Sequence, residues 1–132
     1  MKDRIERQTP SAEVPEDIRE VVRRHVARLP GGGQDILYVA AVAEPDFSIE
    51  VVSRICDRPI EEVRELVHLE VDRGVLGESS RGPGSYRFRD PRFRTALYED
   101  LPPARRKWLH REVGEALKAL RASSGERGDE GK

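Results

Sequence analysis

The chain has 132 residues, 36% hydrophobic and 37% charged, enough for one domain with a modest core and a strongly charged surface. Aromatics make up 5%, too few for the base-stacking platforms of single-strand nucleic-acid binders, and the single cysteine, Cys56, excludes an intramolecular disulfide or a multi-cysteine metal site. The net charge of −1 hides an asymmetry: residues 1–80 carry 11 Lys/Arg against 17 Asp/Glu, whereas residues 81–111 carry nine against three.

A chain so polarised suits complementary docking, onto a protein partner or between copies of itself. The competing explanation is an arginine-rich surface that only solvates the protein. No apolar run reaches the roughly 18 residues of a membrane span, and Met1-Lys2-Asp3-Arg4 leads into no apolar signal segment. A lone cysteine suits a reducing compartment. A cytoplasmic protein without a membrane partner is therefore expected.

Residues 1–14 are polar and lack a sustained period, which predicts a flexible leader before a domain over 15–122. Pro15 opens the first helix, with Glu16 and Asp17 at the positive end of its dipole and Ile18, Val21, Val22, Val26 and Leu29 on one face. Pro30 and Gly31-Gly32-Gly33 end it. Asp35 to Ala43 is apolar all round and predicts a central buried helix, with a short strand as the competitor because it holds β-branched residues. Glu44-Pro45-Asp46 breaks it. Ser48 caps a third helix burying Ile49, Val52 and Ile55, with Phe47 as a staple in front. Asp57 or Arg58 near the cap and Pro59 at the first position start a fourth helix, which buries Ile60, Val63, Val67 and Val71 and stops at Gly74.

Val75-Leu76 and Tyr86-Arg87-Phe88 flank a Gly/Ser-rich stretch and predict a β-hairpin. Two helices follow, roughly Pro91–Asp100 and Pro103–Ala122, the second with Leu109, Val113, Ala116 and Leu117 facing the core. Residues 123–132 have nothing to bury, which predicts a disordered tail. The fold class expected is mainly α: a winged helix-turn-helix with a short two-stranded β-hairpin and two additional C-terminal helices.

A winged helix invites a DNA-binding reading, which the fourth helix opposes. Its outward stripe is Glu61, Glu65, His68 and Asp72, and over Ile60–Arg73 five acids (Glu61, Glu62, Glu65, Glu70, Asp72) stand against Arg64 and Arg73. Duplex binders draw much of their affinity from Lys/Arg contacts to phosphate, and acids facing a groove subtract from it.

Nor is there a constellation for chemistry. Gly31-Gly32-Gly33 is followed by Gln34-Asp35, without the lysine and hydroxyl of a phosphate loop, and reads as a helix connection. His25, His68 and His110 fall on three helices with no ligand at metal spacing. Cys56 closes an apolar helix with no histidine signalled beside it. The Glu61-Glu62 and Glu99-Asp100 pairs suit first-turn and surface charge. No enzyme activity, metal or cofactor is expected.

Three stretches together carry a family resemblance: Val14-Pro15-Glu16-Asp17-Ile18-Arg19-Glu20-Val21-Val22, the run Leu66–Leu76 ending in Asp72-Arg73-Gly74-Val75-Leu76, and Tyr86-Arg87-Phe88-Arg89 through Leu117. The last includes Ala96-Leu97-Tyr98, Leu101-Pro102-Pro103-Ala104-Arg105-Arg106 and Leu109-His110. They resemble the winged-helix region behind the nucleotide-binding domain of bacterial STAND-class (AAA+/NB-ARC-like) signalling ATPases and regulators. The resemblance implies a winged helix that folds back on a nucleotide domain and holds its ADP-bound, inactive state. It also implies a nucleotide-sensing histidine just after the wing's second strand. The matching position here is Asp90, and an ionised carboxylate repels a phosphate. Asp90 before Pro91 equally suits a helix N-cap.

Two readings stay open. In the first, the chain is a non-catalytic regulatory module, docking on an acidic surface or on a nucleotide-binding domain of another chain through Arg81, Arg87, Arg89, Arg92, Arg105, Arg106, Lys107 and Trp108. In the second, it is a DNA-binding transcriptional regulator whose wing and C-terminal arginines contact phosphates. Trp108 lies at the edge of the last helix's apolar stripe, either packed beneath the hairpin or exposed as an anchor for a partner.

Overall fold

The computed structural model describes residues 14–30, 33–43 and 46–130, the last eight as backbone only. The elements run α1 (Glu16–Ala27), α2 (Gly33–Val42), β1 (Phe47–Ser48), α3 (Ile49–Cys56), α4 (Ile60–Asp72), β2 (Leu76–Glu78), β3 (Ser85–Phe88), α5 (Pro91–Asp100) and α6 (Pro103–Glu130). The fold is mainly helical, with a small antiparallel sheet.

The segment apolar on every side is a helix, not a strand. Ile36, Leu37, Val39, Ala40, Ala41 and Val42 of α2 are all buried, because α1, α3, α5 and α6 pack around it. Burial on all sides removes the need for an amphipathic stripe. Gly33 begins the helix where a side chain has no room: a Cβ there meets Leu66 Cδ1 at 3.0 Å and Leu29 Cβ at 3.3 Å. The expected breaks at Gly31-Gly32 and Glu44-Pro45 lie outside the described residues.

Local chemistry sets most helix ends. The Ser48 hydroxyl accepts from the Val51 N–H and caps α3, as its position predicts. Asp57, expected near the α4 cap, instead adopts φ 57° and terminates α3, and Pro59 rather than Asp57 or Arg58 takes the α4 N-cap position. Aspartate tolerates the left-handed region better than most residues. At the other end of α4, Gly74 adopts φ 85°; its N–H bonds to the Val71 carbonyl and the Val75 N–H to the Glu70 carbonyl, a Schellman closure.

The sheet has three strands rather than the expected two, in the order β1-β3-β2. Phe47 pairs with Tyr86 and Ser48 with Ser85, so the residue expected as a staple also extends the hairpin. Pairing covers the β3 edge that a two-stranded hairpin leaves open.

Three further expectations change. Val14, placed in the leader, is 6% exposed and belongs to the core; the rest of the expected leader lies outside the described residues. Val21 and Leu117, assigned to core faces, are 56% and 43% exposed, because each falls at the flank of its helix and not on the line of its buried neighbours. The backbone of α6 is helical through Glu130, where disorder was expected from Ser123; no proline interrupts the run of main-chain hydrogen bonds. Among the described residues no helix is long and apolar enough to cross a membrane.

Candidate interaction surface

Helix α4 turns acids outward. On α4, Val63 and Val67 are fully buried, and Glu61, Glu62, Glu65, Leu69 and Asp72 are exposed. Arg64 pairs with Glu61 at 2.8 Å and Arg58 pairs with Glu62. Glu65 and Asp72 have no ion pair among the described residues. Of the five acids counted along Ile60–Arg73, Glu70 is 0% exposed and is therefore no part of the surface charge.

Glu70 is the residue that sequence reasoning placed wrongly, and it organises the interior. Its Oε1 lies 2.6 Å from His25 Nε2 on α1, and its Oε2 accepts from Arg73 at 3.3 Å. The His25 ring meets Phe93 of α5 edge-on at 5.7 Å. A carboxylate thus joins α4, α1 and α5 inside an apolar core, where burial is tolerable only with partners in place. The signal was present in spacing: Glu70 continues the Val63–Val67 line, and His25 follows Val22 by three residues.

The hairpin arginines are already engaged. Arg81 Nε and Arg87 Nε lie 3.1 and 3.3 Å from the two oxygens of Asp46, whose side chain is only 7% exposed. One inward carboxylate fastens Arg81 of the connecting turn and Arg87 of β3 to the segment before β1 and cancels one of their two charges. Arg89, also proposed as a contact, is exposed and lays its stem over Gly77, where a Cβ meets Arg89 Cγ at 3.2 Å.

Asp90, the position matched to nucleotide sensing, is occupied by a structural task. Its Oδ1 accepts from the Arg92 N–H at 2.9 Å, capping α5, and its Oδ2 accepts from Arg92 Nη2 at the same distance. The Arg92 guanidinium, assisted by that N–H, holds the Asp90 carboxyl below its ordinary range. A depressed carboxylate stabilises the fold above its unfolded pKa, and the contribution disappears as pH falls through the folded value. Asp90→Ala is expected to cost roughly 1 kcal/mol in urea unfolding at neutral pH through loss of the cap, with the difference from wild type narrowing in acid.

The α5–α6 junction carries the remaining basic set, interleaved with rings. The guanidiniums of Arg94 and Arg106 each lie 5.1 Å from the Tyr98 ring centre, and Arg105 lies 5.0 Å over Trp108. Arg94 Nε donates to the Ala41 carbonyl at 2.8 Å and Arg106 Nε to the Leu101 carbonyl at 3.0 Å, so these two serve the fold. The Tyr98 hydroxyl and His110 Nε2 are 2.9 Å apart. Arg105, Lys107 and Arg111 are exposed without an ion pair among the described residues, and Trp108 is 38% exposed between them. Trp108 does not pack beneath the hairpin; with Tyr38, Ile55 and Cys56 it lines a 120 Å³ cleft between α2, α3 and α6.

In that cleft burial, and then the Asp35 charge, push the Cys56 thiol up to about 11. At pH 8 roughly one thiol in a thousand is then the reactive thiolate, so alkylation by iodoacetamide is expected to lag far behind that of a free cysteine and to accelerate on unfolding. Among the described residues no group of His, Cys, Asp and Glu is placed to hold a metal ion. No family model matches the chain, and neither a curated protein nor a solved structure does.

Proposed function

We propose that the chain is a cytoplasmic, non-catalytic regulatory module of winged-helix type that contacts a protein through the exposed basic and aromatic face of α6. The order α2, β1, α3, α4, then a hairpin whose free edge takes up β1, supports the winged-helix reading. The resemblance to the region behind STAND nucleotide-binding domains agrees with it. Asp90 serves as a cap, which favours docking without a nucleotide sensor at that position.

One observation carries the functional reading: α4 exposes Glu61, Glu62, Glu65 and Asp72, whereas α6 exposes Arg105, Lys107 and Arg111 around Trp108. Groove reading by α4 sets carboxylates against phosphates, and the cations there, Arg58, Arg64 and Arg73, are each paired with one of its own acids. The alternative, a regulator touching phosphates through the wing, loses Arg81 and Arg87 to Asp46. Trp108, flanked by Arg105 and Lys107, has the composition of an anchor: aromatic and arginine side chains dominate the energetics of protein interfaces.

A photo-crosslinking amino acid placed at position 107 in the native cell tests this. Protein adducts are the expected result. Nucleic-acid adducts, or none, overturn the proposal.

A further inference from the structure

We infer that the partner of the α6 face is the α4 face of a second copy of this chain, joined as a twofold dimer. This rests on the reading that α6 presents the contact surface, and it names what that surface meets.

The two faces complement one another in charge and shape. Lys107, Arg111 and Arg105 stand exposed around Trp108; Glu65 and Asp72 stand exposed beside Leu69, which is 40% exposed. Leu69 lines an open cleft of about 330 Å³ together with Pro30, Ile36 and Leu66, and its polar lining is Glu65 and the Arg58–Glu62 ion pair. Trp108 of one copy fills that cleft, and Glu65 and Asp72 meet the cations that flank the indole. Two of the four exposed large apolar side chains are covered in this way.

The position of the faces explains why the contact closes. Both border the first turns of α2: Gly33 and Ile36 line the acidic cleft, while Asp35 and Tyr38 line the cleft beside Trp108. Neighbouring, complementary patches are engaged together by one twofold axis, so each copy gives its tryptophan and receives its partner's. The charge division within the chain, acidic before residue 80 and basic after it, then serves assembly rather than solubility alone.

Sedimentation velocity of the whole chain across a wide concentration range tests the inference. Wild type is expected to form a dimer of the 15.0 kDa chain that weakens with salt. Glu65→Lys with Asp72→Lys makes both faces basic; Lys107→Glu with Arg111→Glu makes both acidic. Each double variant alone is expected to be monomeric, with dimerisation at least about tenfold weaker, and circular dichroism unchanged because all four side chains are exposed.

Mixed together, the two variants are expected to form a heterodimer, since both interfaces then pair opposite charges. Trp108→Ala is expected to weaken the wild-type dimer by a comparable factor. A wild type that stays monomeric at low salt overturns the inference, as does a dimer indifferent to both reversals or a mixture that fails to associate. A monomeric chain that still crosslinks a different protein from position 107 leaves the docking proposal standing and removes only the second copy. Nucleic-acid adducts remove the docking proposal itself.

Discussion

His25→Ala is expected to lower stability by about 3 kcal/mol, whereas Glu70→Met, which removes the other member of the same pair, is expected to be nearly neutral. The asymmetry follows from burial. Glu70 is completely enclosed and His25 is one-fifth exposed. Without the imidazole, the carboxylate keeps its desolvation cost and retains only Arg73, a half-exposed partner 3.3 Å away. Without the carboxylate, a methionine of similar volume fills the site, and water reaches the ring and the guanidinium. His25→Ala also loses the edge-on contact with Phe93. The double variant is expected to recover most of the loss, because no unpaired charge is then buried. Urea unfolding with an unchanged m-value measures all three. Equal losses for the two single variants contradict the role assigned to Glu70.

Asp46→Asn is expected to raise the affinity of the chain for duplex DNA. The substitution removes the carboxylate that holds Arg81 and Arg87, and both guanidiniums become available to phosphate. Two added phosphate contacts steepen the dependence of log affinity on log salt by about 1.8, with duplex affinity at low salt rising roughly tenfold. The same change loosens the hairpin, since Asp46 ties β3 and the β2–β3 turn to the segment before β1. Fluorescence anisotropy of a labelled duplex over a salt series reads the first effect, and amide exchange at Ser85 and Tyr86 the second. An unchanged slope means that the arginines are not restrained by Asp46 in solution.

Much of this architecture was legible in the residues. The Ser48 cap, the Gly74 stop, the buried α2 and the outward acids of α4 follow from spacing and capping chemistry, and each stands where it was expected. Strand β1 was not legible. Two residues are too few to show alternation, and Phe47 satisfied the staple pattern so well that pairing went unsuspected. Glu70 continues the Val63–Val67 line, yet a carboxylate there reads as surface because only a partner from another helix makes its burial tolerable, and His25 lies 45 residues away in sequence.

The candidate site was legible in composition and not in arrangement. The excess of arginine after residue 80 is plain, but whether an arginine faces solvent depends on what it meets in three dimensions. Arg81 and Arg87 meet Asp46, Arg92 meets Asp90, Arg94 and Arg106 meet backbone carbonyls and Tyr98. Of the eight residues put forward, Arg89, Arg105, Lys107 and Trp108 stay available to a partner. Arg111 joins them by its place on the outer face of α6.

The function proposed directs recognition at an oppositely charged protein surface and away from the duplex groove. Anisotropy of a labelled DNA duplex titrated with the wild-type chain, from low to physiological salt, puts that claim to its most direct test. Weak binding that stays weak, with a shallow dependence on salt, is the result expected from an acidic α4 and a restrained wing. Tight binding at low salt that falls by several orders of magnitude across the series contradicts it.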